Sequence, residues 1–356
     1  MNILFLDFLH PKGHKEFNMN LITRLSDIGK VTVLCQRNYY NGFTGNTKDV
    51  TFIEEDDLRI DGQGLMSRIA ALKIMTKSSK IRKKYDYDKI IVSSFETLSF
   101  TIGRFFFKEM SNMYIIHHNN VDELSNSFKL KFFKTYMNKV NHIVLDEFIK
   151  EYLINKLGVN EHLVHVLPHP LNEIVDVKPL EKSKYLCVGL SNSNDEEFIR
   201  ELVKREIKDA TIQKMGKKVI LKSKSINFDN GYLKIVNGFL EKSMYDDYIS
   251  NSKFIFMPFP KTFRYRMSGT LMDAISNGRI VIGSNIPLIK NYNNLYPSLC
   301  KIVKDTTDFY VIIKSDLEDK VSVKKEFSSF SQIHSKDNIL SRLKDILKER
   351  KHADQE

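Results

Sequence analysis

The stretch Lys253–Asn285, KFIFMPFPKTFRYRMSGTLMDAISNGRIVIGSN, decides the fold. Phe254–Met257 is a short apolar run of the kind a buried strand presents. Pro258 and Pro260 follow it, and the loop then carries Arg264, Tyr265 and Arg266. Ser268–Gly269–Thr270 has the composition of a helix start, Leu271–Ser276 continues as helix, and Gly278 stops it before a second apolar strand, Arg279–Gly283. Strand, loop, helix, strand is the grammar of a parallel sheet, whose ligands bind at the carboxyl ends of the strands. Two guanidinium groups, a hydroxyl and a helix N-terminus suit a diphosphate. Asp273 is the only carboxylate in the stretch.

The rest of the chain extends this pattern in both directions. At 356 residues it is too long for one ordinary α/β domain, and two domains of roughly 170 residues are expected. The composition, 42% hydrophobic and 28% charged, is that of a globular protein and excludes disorder. No apolar run approaches the roughly 20 residues of a membrane span. MNILFLDFLH reads as a first strand and not as a signal peptide. Cys35, Cys187 and Cys300 are few, far apart and set in apolar runs, which reads as buried free thiols in a reducing cytoplasm, with no metal site. The net charge of +11 fits nucleotide, lipid-phosphate or anionic-membrane partners. Charge alone leaves nucleic acid open, but the aromatic residues read as core and not as a stacking surface, so none is expected.

In the first half, strands are read at residues 2–6, 31–35, 90–94, 113–116 and 142–145, with a weaker one at 50–53 and a strand-like run at 163–167. No GxGxxG fingerprint follows the first strand, which disfavours a nicotinamide dinucleotide. Gly13 allows either close approach of a ligand or a plain turn. Residues 65–84 read as a helix with Leu65, Ile69, Leu72 and Met75 on one face and a basic end. That end is either a solvated face or a platform for a membrane surface or a lipid-phosphate acceptor. Phe128, Phe132 and Tyr136 in 127–139 have the spacing of a packed helix stripe. His117–His118 directly follow the strand at 113–116, where α/β sheets put functional side chains. Without cysteine or carboxylate neighbours at ligand spacing they make a poor metal site. A ligand-binding imidazole and a strand-end cap both remain open. The second half restarts at Lys184–Gly189, and a strand at 217–221 ends near Lys222. A polar connector at 172–182 divides the halves, and an amphipathic helix over about 336–350 closes the chain.

Residues 240–285 are similar to the donor-binding core of glycosyltransferase family 4. A helix precedes a strand that ends in Met257–Pro258–Phe259, and Asp273–Ala274–Ile275–Ser276–Asn277–Gly278 stands where the family has the second Glu of a Glu-x7-Glu motif. Tyr265 occupies the place of the first Glu. Val166–Leu167–Pro168–His169–Pro170 resembles the family's mid-chain hinge, and Tyr265–Arg266–Met267–Ser268–Gly269 resembles a divergent branch of bacterial polysaccharide enzymes. The resemblance implies an α/β chain with two Rossmann-like parallel-sheet domains facing across a cleft, the GT-B fold. Domain 1–175 would take the acceptor and domain 176–335 the nucleotide sugar, with the C-terminal helix and tail (336–356) packing back on the first domain.

It further implies transfer of a sugar from a nucleotide diphosphate sugar to a glycan or lipid-linked acceptor, in a cytoplasmic enzyme of cell-surface polysaccharide synthesis that meets the inner membrane. Retention at the anomeric carbon and no cofactor or metal are implied too. In these roles Arg266, Lys222 and His118 are catalytic. Asp273, Tyr265, Arg264, Ser268, Gly269 and Thr270 bind the donor, and Gly13 and His117 lie on the acceptor side. Two other readings stay open: a non-catalytic GT-B protein that binds a partner enzyme or acceptor, and a sugar-nucleotide 2-epimerase.

Overall fold

The computed structural model describes residues 1–9, 14–45, 48–56, 65–107, 109–171, 179–238, 240–315 and 320–348. The chain divides into two compact units, Met1–Pro170 with the segment from Ser335 onward, and Leu171–His334.

In the first unit the strands are β1 (Asn2–Asp7), β2 (Lys30–Gln36), β3 (Val50–Glu55), β4 (Lys89–Ser94), β5 (Met113–Ile116), β6 (Asn141–Val144) and β7 (Val164–Val166). They form one parallel sheet in the order β3-β2-β1-β4-β5-β6-β7. The crossover helices are α1 (Lys15–Ser26), α2 (Leu65–Lys84), α3 (Thr97–Gly103), α4 (Asn120–Glu123), α5 (Ser127–Phe133) and α6 (Glu147–Asn155). Because helices cover both faces, the strands are apolar throughout: Ile3 to Leu6 and Ile90 to Val92 are buried without exception. The order reverses between β1 and β4, and this is the point at which α/β sheets bind ligands.

The second unit repeats the plan. Its strands are β8 (Tyr185–Gly189), β9 (Val219–Lys222), β10 (Phe228–Asp229), β11 (Leu233–Val236), β12 (Ser252–Met257), β13 (Ile280–Ser284) and β14 (Cys300–Val303). The order is β10-β11-β9-β8-β12-β13-β14, with the two-residue β10 antiparallel at the edge and the rest parallel. Its helices are α7 (Glu196–Asp209), α8 (Thr211–Lys214), α9 (Lys242–Ser250), α10 (Gly269–Ser276), α11 (Pro287–Leu295), α12 (Thr306–Lys314) and α13 (Lys320–Ile333). The last helix, α14 (Lys336–Lys348), belongs to the first unit, where it buries Ile339, Leu343, Ile346 and Leu347 and the Ile346 carbonyl accepts from the Tyr114 hydroxyl (3.3 Å). Among the described residues no helix is long and apolar enough to cross a membrane.

Two helix readings change. α5 stops at Phe133, so the stripe expected through Phe128 and Tyr136 is broken: Phe128 is 59% exposed, while Phe133 and Tyr136 are the buried pair. On α2 the buried face runs through Ala71, Ile74, Met75 and Ser78, and Ile69 is exposed. Periodicity gives the helix but not its rotation when several faces carry apolar residues.

A buried carboxylate holds one corner of the second unit. Ala210, between α7 and α8, takes a left-handed φ of 45°, which costs a residue with a Cβ about 1 kcal/mol. Glu206 offsets this by accepting from the Ile212 and Gln213 amides (2.9 Å each) that open α8, and from the Tyr310 hydroxyl (3.3 Å) of α12. Glu206→Ala strands both amides inside the protein, and we expect a loss of about 3 kcal/mol, read as a lower urea midpoint. An unchanged midpoint removes this role.

Candidate functional site

The switch point of the first unit is built on Asp7, at the end of β1 and 1% exposed. It accepts from Asn18 (2.9 Å), from the Leu9 amide (3.0 Å) and from the Ser94 hydroxyl at the end of β4. Asn18 also meets Tyr40 (3.1 Å) and the Ser93 hydroxyl. Above this network the His118 ring lies 4.0 Å from His14 and 4.9 Å from Phe17, and Phe17 reaches His169 at 5.2 Å. The His118 imidazole donates to the Ser93 carbonyl, and burial, reinforced by His14 and His169, holds it well below the usual histidine range. Among the described residues its Nε2 is buried with no hydrogen-bond partner. His14 Nδ1 and Glu96 Oε1 are likewise buried and unpartnered. Burial lowers the His14 pKa, against the pull of Asp7. All three residues line one cavity of about 170 Å³, together with Phe95, Asn119, Asn120 and Glu123.

His117, expected on the acceptor side, points the other way. It is wholly buried in a relay of hydrogen bonds whose directions are fixed from one end. The Met137 carbonyl only accepts, so His142 Nε2 carries the hydrogen (2.6 Å). His142 Nδ1 then accepts from His117 Nε2 (2.8 Å), and His117 Nδ1 accepts from the Asn120 amide (3.0 Å). Asn120 Oδ1 in turn accepts from the His118 backbone N–H (3.2 Å). His117 is thus a positioning residue whose chain ends on the residue that faces the cavity. The adjacent pair divides because successive residues leaving a strand point to opposite sides. Gly13 lies outside the described residues.

In the second unit the carboxyl ends of β8, β9 and β12 gather the donor candidates. Lys222 ends β9 with its ammonium on Asn192 Oδ1 (2.5 Å), and Asn194 donates to the Lys222 carbonyl (2.6 Å). In the same loop the Asp195 amide donates to the Pro258 carbonyl after β12 (2.5 Å). Burial, then Lys224, lowers the Lys222 pKa. From Pro258 the chain stacks Phe259 on Phe263 (4.0 Å, 6° between planes) and the Arg266 guanidinium over Phe263 (3.8 Å). Arg264 donates back to the Lys261 carbonyl (2.9 Å), and Tyr265 is half-buried between the two arginines. Ser268 caps α10, accepting from the Leu271 amide (3.3 Å), and a side chain added at Gly269 would meet nothing within 4 Å. The space beside Gly269 is therefore open, and Gly269 itself is exposed. Tyr245 of α9 donates to Asp273 Oδ2 (2.8 Å) and is hydrogen-bonded to the Thr270 side chain. Thr270 is thereby engaged with α9.

Inspection of the sequence missed Glu96, His14, Tyr245 and Asn192. Glu96 and Asn192 each lie within three residues of a strand's carboxyl end, and that placement was the available signal. It missed Glu196 as well. Burial pushes the Glu196 carboxyl up, but hydrogen bonds from Ser223, Lys224 and Ser225 outweigh it and lower its pKa, and they bind α7 to the loop after β9.

No family model and no curated protein matches the sequence. Solved structures do match. Sucrose-phosphate synthase from Thermosynechococcus elongatus has a TM-score of 0.70 at 12% identity, covering 97% of this chain and 98% of its own. HepE of Anabaena, in complex with UDP and glucose, has a TM-score of 0.66 at 12% identity, covering 98% and 99%. A glycosyltransferase from Rickettsia africae has a TM-score of 0.62 at 15% identity, covering 98% of each chain. The likeness runs the length of both units, and the chain has the GT-B fold of two Rossmann-like domains.

The buried histidine relay gives a pH dependence. Burial brings the His142 pKa down to about 4. The unfolded chain takes up a proton below its ordinary value of about 6.5, while the folded chain stays neutral. The contribution of this group is present above that pH and is lost as pH falls toward about 4, in total about 3 kcal/mol. The urea midpoint of His142→Gln should accordingly lie below that of the wild type at neutral pH and fall less steeply on acidification. Parallel curves would remove the assignment.

Proposed function

We propose that the chain is a glycosyltransferase that moves a sugar from a nucleotide diphosphate sugar, taken first as a UDP-sugar, to a glycan or lipid-linked acceptor in cell-surface polysaccharide synthesis. The observation that carries the reading is the carboxyl edge of the second-unit sheet, where Lys222 ends β9, the loop after β8 is hydrogen-bonded to Lys222 and to Pro258, and the chain beyond Pro258 carries Arg266, the start of α10 and Asp273, which is held by Tyr245. Solved neighbours with the same fold carry UDP or UDP-glucose, which supports the choice of nucleotide.

The barrier in this reaction is expulsion of an anionic diphosphate from a carbon that becomes oxocarbenium-like. As the bond from the anomeric carbon to the diphosphate oxygen breaks, negative charge grows on that oxygen, and fixed cations and amide N–H groups stabilise it without a resident metal. Lys222 and Arg266 supply the charge. Arg266 is suited to the task because its stack on Phe263 fixes the plane of the guanidinium. Arg264 and Tyr265 flank the phosphates, Ser268 and Gly269 present the helix end, and Asp273 accepts from the ribose hydroxyls. The acceptor oxygen forms the new bond and gives up its proton. With retention, which the likeness to family 4 supports, that proton goes to the departing diphosphate oxygen. In the first unit His118 is the residue assigned to a sugar.

Contact with an anionic membrane is part of the proposal. α2 carries Lys73, Lys80, Lys83 and Lys84 with no acidic residue, and Ile102, Phe105 and Phe128 on neighbouring elements are exposed. A second reading, a non-catalytic binder of the same fold, is favoured by Tyr265 where a carboxylate is expected.

A thermal-shift screen of UDP, GDP, ADP, CMP and dTDP, followed by turnover of the matching sugars, separates the two. UDP should stabilise the protein. Lys222→Ala and Arg266→Ala should lower kcat about a hundredfold, and Asp273→Asn should weaken nucleotide binding about tenfold. Tight UDP binding without turnover of any sugar donor gives the binder reading, and no nucleotide binding sinks the glycosyltransferase reading.

A further inference from the structure

We infer that the first-unit cavity seats a neutral, hydroxyl-bearing sugar unit of the acceptor, with Glu96 as the residue that selects it, and that the transferred sugar goes onto a glycan hydroxyl and not onto a lipid phosphate. The inference deepens the glycosyltransferase reading and rests on it.

The argument is one of polarity. Glu96 caps α3: its Oε2 accepts from the Ser99 amide (2.8 Å) and hydroxyl (2.9 Å), with the Arg68 guanidinium 3.7 Å away. That leaves Oε1, buried and unpartnered, on the cavity wall. His118 adds a second buried, unpartnered atom, Nε2 of a ring that burial keeps neutral. The Glu96 carboxylate oxygen only accepts. An unpaired buried acceptor is destabilising, and a ligand that donates to it recovers that cost. A phosphate does the opposite, since it brings further acceptors and negative charge against Glu96 and Glu123. Among the described residues that line the cavity there is no lysine or arginine to meet it. The walls at Phe95 and Ile116 are apolar and suit the face of a sugar ring, and about 170 Å³ is the share of roughly six waters, a single small moiety.

Glu96→Gln is the decisive variant. It keeps an oxygen for the Ser99 cap and turns the cavity-facing acceptor into an amide donor. With the donor identified above, the full-length protein should transfer to methyl glycosides of glucose, galactose, mannose and N-acetylglucosamine in preference to geranyl phosphate. Glu96→Gln should raise the acceptor KM about tenfold or more, while the donor KM and acceptor-independent hydrolysis of the donor stay within about twofold. An unchanged acceptor KM in the folded variant, or geranyl phosphate as the better acceptor, overturns the inference. If no sugar nucleotide is turned over, the glycosyltransferase reading fails by itself, and binding decides this one. In carbon-labelled protein the methyl glycosides should shift the His118 imidazole resonances, and should not in Glu96→Gln. Shifts produced by inorganic phosphate instead, or by none of the glycosides, overturn it.

Discussion

A parallel sheet leaves one edge open for chemistry. Helices must cover both of its faces, because its strands carry apolar side chains on both sides and its connections cross over it. What remains is the edge where the strands end, and there the loops leave in opposite directions where the strand order reverses. Both units meet this constraint in the same way. In the first, the reversal between β1 and β4 sets Asp7, Ser93, Ser94 and Glu96 beside one another, and β5 adds His118. In the second, the reversal around β8 brings Lys222, the 190–195 loop and the Pro258 loop together through hydrogen bonds from Asn194 and Asp195.

The two edges are opposite in polarity. Burial keeps the imidazoles of the first neutral, since a charged ring without a counter-ion is costly to desolvate, and its carboxylates make it a collection of acceptors. The second collects cations and the positive end of a helix. Carboxylates disfavour an anion at the first edge, and cations favour one at the second.

Neither edge holds its shape through surface contacts alone. The relay from Met137 through His142, His117 and Asn120 ends on the His118 backbone, so a core hydrogen-bond chain sets the residue on the cavity wall. Tyr245 plays the same part for Asp273, and Glu206 for the turn between α7 and α8. The histidine relay and Glu206 lie inside the fold, where an unpaired polar atom costs more than at the surface and alternative arrangements are correspondingly disfavoured.

Apolar runs, proline and glycine punctuation and the capping serine were enough to read from the sequence the α/β class, almost every strand and the start of α10 at Gly269, because these are set by neighbours along the chain. The places of His118, two residues past β5, and Lys222, the last residue of β9, were legible by the same logic. What the sequence left open was decided by packing. The rotation of α2, the early end of α5 and the opposite fates of His117 and His118 depend on which face of an element meets its neighbour, and several faces were apolar enough to serve. Glu96, His14 and Tyr245 had no motif to announce them. Their importance comes from groups distant in sequence that leave one atom bare or hold one carboxylate in place, and only the tertiary structure brings those groups together.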